Sequence, residues 1–238
     1  GVAPSAENIA FLLGKQGKNP ICRLALRRGL HIGKSQAAHF SRLGLPFLNQ
    51  PPTHQHLKGR ITHIRTLEHV RDVFIVGCLT GQRVSDYSRI CEDMITEING
   101  VEFILLTQQK TDKKVYIPMD RRVRQILDKY DGKLPHIHPN EMNKLIKTVG
   151  LMLGWTHDCG FDGKRLNPKR GRRFCDMLLS HTARRSFATN AYKAGVPLSS
   201  IQAITGHSSE AQLRRYLKLD AEEKAVIALK DFKGIIKI

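Results

Sequence analysis

Between Met94 and Ile117 the chain changes its hydrophobic period, and that change limits the folds open to it. Met94–Ile98, Glu102–Thr107 and Lys114–Ile117 are short segments rich in β-branched residues. They are separated by Asn99-Gly100 and by a polar stretch, Gln108 to Lys113. This pattern predicts three antiparallel strands, with Asn99-Gly100 as a two-residue hairpin turn. On both sides of the segment the period is helical. Thr66–Leu79 spaces Leu67, Val70, Val73, Phe74 and Val76 as one helix would, and Thr80-Gly81 stops it. Thr53–Ile61 is a weaker, separate helix candidate. Ser85 and Asp86 are expected to cap a short helix after Arg83. Further helices are expected over Asp120–Tyr130 and Asn140–Leu153, and from Ser180, read as a cap, to Ala194. Pro197 starts another, which Gly206 ends, and Ser208–Leu217 and Ala221–Lys230 follow. The predicted fold class is mainly α with a small three-stranded antiparallel sheet.

Residues 1–50 read as the tail of a preceding domain and a linker, with Pro46 and Pro51-Pro52 at the junction and 51–238 as the next domain. The longest apolar run, Val73 to Leu79, is too short to span a bilayer. Five cysteines without a Cys-x-x-Cys pair argue for reduced thiols and a cytoplasmic setting. His157, Cys159 and Cys175 match no common zinc spacing, so no metal is expected. The charge balance is more telling. Lys and Arg number 39 against 21 Asp and Glu, a net +18, which favours a polyanionic partner, nucleic acid foremost. Six cations crowd one loop: Lys164, Arg165, Lys169, Arg170, Arg172 and Arg173. A solvated charge run or an import signal would look similar, but a DNA-backbone contact fits the rest better.

Four stretches carry the chemistry: Thr80-Gly81-Gln82-Arg83-Val84-Ser85-Asp86, Gln109-Lys110-Thr111 in a strand turn, His181-Thr182-Ala183-Arg184-Arg185-Ser186, and Gly206-His207 with Tyr216 nine residues on. Two guanidiniums suit a phosphodiester, since Arg is always charged and donates in a fork. His181 and Arg184, three apart on a helix, face one site. Singly, each residue has a bland alternative. Arg83 would pass for a surface charge, His181 for an exposed helix-start residue, and Tyr216 for a core tyrosine beside Leu213 and Leu217. Lys113 and Lys114 rival Lys110, and Tyr192 rivals Tyr216.

In this order the stretches resemble the tyrosine recombinase (phage integrase) family over roughly residues 50–228. They are similar in wording to the integrases of Bacteroides-type mobile elements, including Phe187-Ala188-Thr189-Asn190. The resemblance implies the DNA breaking-rejoining fold and metal-free, cofactor-free transesterification. It makes Tyr216 the nucleophile, Arg83 and Arg184 the phosphate clamp, His181 the proton handler, His207 a phosphate or transfer partner, and Lys110 the acid for the leaving 5′-oxygen. Arg185 joins the basic loop as a candidate DNA contact. Double-stranded DNA is the implied partner, with a homotetramer, accessory DNA-bending proteins and a nucleoid-associated cytoplasmic location. A type IB topoisomerase shares this chemistry, and an inactive DNA-binding relative would share the fold.

Overall fold

The computed structural model describes residues 54–156, 173–217, 219 and 221–231. Residues 1–50 and most of the basic loop, including Lys164, Arg165, Lys169, Arg170 and Arg172, lie outside them. α1 (His54–Thr80) runs unbroken through both expected helices. No proline falls between Ile61 and Thr66, and a single Gly59 costs a helix only about 1 kcal/mol. Asp72 to Thr80 is buried all round, so this half of α1 is the axle of the fold. It packs on α3 (Arg121–Lys129), α4 (Pro139–Met152) and α6 (Ser180–Lys193).

The sheet follows α2 (Val84–Tyr87) and a 3₁₀ turn, Glu92–Met94. Its strands β1 (Ile95–Ile98), β2 (Val101–Thr107) and β3 (Lys114–Pro118) lie in the order β1-β2-β3, all antiparallel. Ile98 pairs with Val101 across Asn99 (φ 51°) and Gly100 (φ 75°), the two left-handed residues that a tight hairpin of this length requires. Period-2 alternation turns Ile104, Leu106, Val115 and Ile117 inward, while Tyr116 stays exposed. Thr107 pairs with Lys114, so residues 108–113 project as the β2–β3 loop.

Three helix starts differ from the sequence reading. α2 begins after Arg83, whose backbone is the cap, so Ser85 and Asp86 sit inside the helix rather than capping it. At α6 the cap residue is Leu179, and Ser180 is the first helical residue. The Leu179 N–H donates to Thr182 Oγ1 at 3.0 Å, while the Ser180 N–H goes to Asn143 Oδ1 on α4 at 2.7 Å. The helix expected over Ser208–Leu217 is only Glu210–Arg214 (α8), with Ser209 Oγ accepting from the Gln212 N–H; Tyr216 lies in the turn beyond it. The four-residue α5 (Phe174–Met177) was not foreseen. α7 (Leu198–Thr205) and α9 (Ala221–Asp231) fall close to expectation.

α6 is shared by two apolar clusters. Ala183 joins the main core with α1, the sheet, α3 and α4. Phe187, Ala188 and Ala191 pack with Val196, Ile201 and Leu213 in a smaller second core. The polar residues that close the site lie at the seam between these cores.

The packing of α1 on α2 is testable. A methyl on Gly77 would come within 2.6 Å of the buried Tyr87 ring. Gly77→Ala should therefore destabilise the fold by about 1–3 kcal/mol, as overpacked cores do. A lowered urea midpoint checks this, and an unchanged midpoint contradicts the packing.

Candidate active site

Arg184 is one of the largest fully buried side chains among the described residues, at 0% exposure. Its position follows from α6. Placed one turn after the helix start, it points from the seam between the cores toward the end of α1. Nη1 donates to the Gly81 carbonyl at 2.9 Å, and Nη2 lies 3.1 Å from His207 Nε2. Nε has no partner. Burial, and then the charge of Arg83, push its pKa down to about 10, so it stays charged at neutral pH. An incompletely bonded buried cation is costly unless an anion comes to it.

A cavity of about 450 Å³ is lined by Arg83, Lys110, Lys113, His181, His207 and Tyr216 among others; Arg184 is not one of its lining residues and stands behind His207, to which it is bonded. None of its described lining residues is acidic. The named residues reach the cavity from five places in the chain, Lys110 and Lys113 sharing one loop. Arg83 stands at the start of α2, Lys110 in the exposed β2–β3 loop, and His181 in the first turn of α6. His207 follows the left-handed Gly206 (φ 70°) that ends α7, and Tyr216 follows α8. The Tyr216 ring lies between the two imidazoles, 5.1 Å from the His181 centroid and 4.5 Å from that of His207, edge-on to both. The Arg184 and Arg185 guanidiniums stand 5.8 and 5.9 Å from the same ring, within cation–π range. Tyr216 is half-buried and also leans on the Leu213 cluster, so part of the core alternative holds alongside the cavity contact.

Both histidines are neutral at neutral pH. Burial, then Arg185, Arg184 and Arg83, hold His181 below its ordinary value. Burial, then Arg184 and Arg83, push His207 down to about 3.

The structure adds residues that the sequence reading passed over. Gln82 and Gln108 are both fully buried behind the cavity. Gln108 Nε2 donates to Gln82 Oε1 at 2.6 Å and to the Thr205 carbonyl at 2.9 Å; its Oε1 accepts from Thr111 Oγ1 at 2.7 Å and from Arg83 Nη1 at 3.4 Å. Gln82 Nε2 in turn donates to the Thr80 and Ile204 carbonyls. This amide pair ties the Arg83 turn, the Lys110 loop and the end of α7 together. A Cβ at Gly206 would collide with the Gln108 amide, so no side chain fits there. Asp86 is the other omission. Its fully buried carboxylate accepts from the Gln109 N–H at 2.8 Å and favours the charged form of Arg184. Gln82 and Asp86 stand inside the first motif and Gln108 directly before the second, but a Gln or Asp in sequence does not declare its burial or its role.

The candidate DNA contacts divide. Arg185 is exposed beside Tyr216. Arg173 is bonded through two guanidinium nitrogens to Asp176, at 2.9 and 3.1 Å, so its charge is already matched. Among the described residues no group of three His, Cys, Asp or Glu side chains stands close enough to hold a metal ion. Again among the described residues, no helix is long and apolar enough to cross a membrane.

The depressed histidines set a pH dependence. In the unfolded chain both take up protons as pH falls below about 6.5, whereas the folded chain resists. Stability should therefore fall from pH 7.5 toward pH 5. Urea midpoints across that range check it, and His207→Gln should flatten the slope. A wild-type midpoint that holds constant would contradict the two neutral rings.

A model of the phage integrase family matches residues 161–223. A tyrosine recombinase of Pseudothermotoga lettingae is 25% identical over 174 residues, covering 67% of this chain and 53% of that protein. The chain thus spans about half the length of this curated relative. Among solved structures, the XerH site-specific recombinase bound to difH substrate is 16% identical with a TM-score of 0.47, covering 84% of this chain and 54% of that one. The Tn1549 transposon integrase in complex with transposon right end DNA is 15% identical with a TM-score of 0.47, covering 77% and 66%. At such identity and TM-score neither bears on chemistry. The family segment contains His181, Arg184, His207 and Tyr216 in order, and Arg83 and Lys110, upstream of it, share a cavity with His181, His207 and Tyr216. The chain is thus similar to the phage integrase family over residues 161–223, and to one tyrosine recombinase over two thirds of its own length.

Proposed function

We propose that residues 51–238 form the catalytic domain of a site-specific DNA recombinase, an integrase that cleaves and rejoins double-stranded DNA through a 3′-phosphotyrosine. The observation that carries this reading is the cavity itself: a phenol between two neutral imidazoles, flanked by cations, with no acid among its described lining residues. Such a site attracts an anion and provides a nucleophile beside it. Fixed cations aimed where charge develops are the strongest single aid to a reaction of this kind.

In the proposed step the Tyr216 oxygen attacks the phosphorus and the bond to the 5′-oxygen breaks. His181, neutral and edge-on to the ring, accepts the phenolic proton. Arg83 and Arg184 hold the nonbridging oxygens. Lys110, on an exposed loop that can follow the DNA, gives a proton to the departing 5′-oxygen. A 5′-hydroxyl from the partner duplex then reverses the step, and the ester conserves the bond energy. Arg185 and the basic-loop residues Lys164, Arg165, Lys169, Arg170 and Arg172 are assigned to the DNA backbone, whereas Arg173 is left to its pairing with Asp176.

Assembly as a homotetramer on DNA, aided by accessory DNA-bending proteins at a nucleoid-associated site in the cytoplasm, is part of the same proposal. α9 supports the tetramer. Val226 and Leu229 on it are 51% and 46% exposed, an apolar face available to a neighbouring copy.

A nicked suicide duplex carrying the recognition site tests the reading. The wild-type chain should form a covalent protein–DNA adduct, and Tyr216→Phe should lose it while binding DNA within about twofold of wild type. Arg83→Ala should slow the adduct by about 10²–10³, the usual loss for one oxyanion donor. An adduct that survives Tyr216→Phe contradicts the assignment. Sequence-independent relaxation of supercoiled plasmid would point to topoisomerase chemistry instead.

DNA affinity should also fall steeply with salt, by about tenfold or more between 50 and 200 mM, because each Lys or Arg contact with a phosphate releases counterions. Filter binding across that range checks this, and a flat response contradicts it.

A further inference from the structure

His207 is 3% exposed, and both of its ring nitrogens are engaged. Nε2 lies 3.1 Å from Arg184 Nη2, and Nδ1 lies 2.7 Å from Thr205 Oγ1. A guanidinium has donors only, so Nε2 must accept and must carry a lone pair. The one proton of the neutral ring is then on Nδ1, and Thr205 Oγ1 accepts it. The threonine hydroxyl keeps its own proton for the Ile201 carbonyl, 2.7 Å away and one turn back on α7. Donors and acceptors match at every link from Arg184 through His207 and Thr205 to Ile201. Thr205 is fully buried, so bulk water does not compete for either bond. A protonated ring would fail the count, with a second N–H set against the guanidinium.

We propose that Thr205 is a positioning residue that fixes His207 as the Nδ1–H tautomer, so that the nitrogen beside Arg184 always presents a lone pair. In water a histidine side chain favours the opposite tautomer, with the proton on Nε2. The buried threonine reverses that preference. Without its oxygen the ring is free to place an N–H against Arg184, donor to donor, and the guanidinium loses the acceptor that aims it. Thr205 thus acts through His207 on the direction of the Arg184 clamp before any DNA arrives. A threonine in a helix often bonds to the carbonyl four residues back for purely local reasons. Here the same oxygen also faces a ring nitrogen in the candidate active site. The consequence for strand cutting rests on the function proposed above, whereas the tautomer does not.

The test reads the tautomer directly. Two-bond ¹H–¹⁵N correlation spectra are recorded on the ¹⁵N-labelled full chain without DNA at neutral pH. The His207 signals are identified by their loss in His207→Gln. Wild type and Thr205→Ser should show a protonated Nδ1 and an unprotonated Nε2. Thr205→Val should shift His207 toward the Nε2–H form or a mixture. On the suicide duplex, Thr205→Val should slow adduct formation about tenfold or more, toward the 10²–10⁴ that a positioned proton-transfer group itself contributes. Its DNA affinity should stay within about twofold, and Thr205→Ser should restore the rate to within about threefold. A wild-type His207 found as Nε2–H overturns the proposal even if Thr205→Val fails to fold. So does a Thr205→Val chain with unchanged tautomer, or one with altered tautomer and an unchanged rate. If no chain makes an adduct but His207 is Nδ1–H and responds to Thr205→Val, the tautomer lock stands and the recombinase reading falls.

Discussion

The structure turns on one buried cation. The Arg184 guanidinium sits at the seam between two apolar cores, bonded to one carbonyl and one imidazole and left with an unpartnered Nε. Taking a charge out of water without full compensation is among the larger costs in a fold. A chain keeps such a group where an anion is to be met. The partners that hold Arg184 come from elements far apart in sequence: Gly81 from the end of α1 and His207 from the loop after α7. Its two bonds therefore connect the helix that bears it with the end of α1 and with the loop after α7.

Around that cation the polar groups are arranged as support. Gln82 and Gln108 pair with each other in the interior and between them bond the backbone or side chain of every segment that approaches the cavity from the α1–α2 turn, the β2–β3 loop and α7. Asp86 anchors the loop at Gln109 and supplies the nearby negative charge that helps Arg184 remain ionised. The amide pair is fully bonded, while Asp86 Oδ2 is buried without a partner; a satisfied buried pair rigidifies what it touches. The exposed Lys110 thus stands on a loop whose base is fixed and whose tip is not. That combination suits the role proposed for Lys110, meeting a mobile oxygen while the arginines stay still.

Much of this was legible in the sequence, and the boundary has a physical cause. The α1 period, the Asn99-Gly100 hairpin and the glycine after α7 are local signals, set by side-chain spacing and by backbone angles that few residues adopt. They placed the elements within a few residues. The motif residues were legible as chemistry, because arginine, histidine and tyrosine in that order resemble one family. Helix starts were less legible. Ser180 and Asp86 have the side chains of caps, but tertiary partners claim the Ser180 N–H through Asn143 and the Asp86 carboxylate through Gln109. The end of α8 escaped for a related reason: Tyr216 leaves the helix to lie between two imidazoles. Gln82, Gln108 and Thr205 were invisible because their importance lies in being buried opposite one another, across as many as 97 positions of chain.

The central claim is that the Tyr216 oxygen, held among these cations, bonds to a DNA phosphate. Mass spectrometry of a trapped, nuclease-trimmed complex tests it most directly. The account requires a nucleotide joined through its 3′-phosphate on the peptide that contains Tyr216. A nucleotide found on the Tyr192 peptide, or joined through a 5′-phosphate, would contradict it.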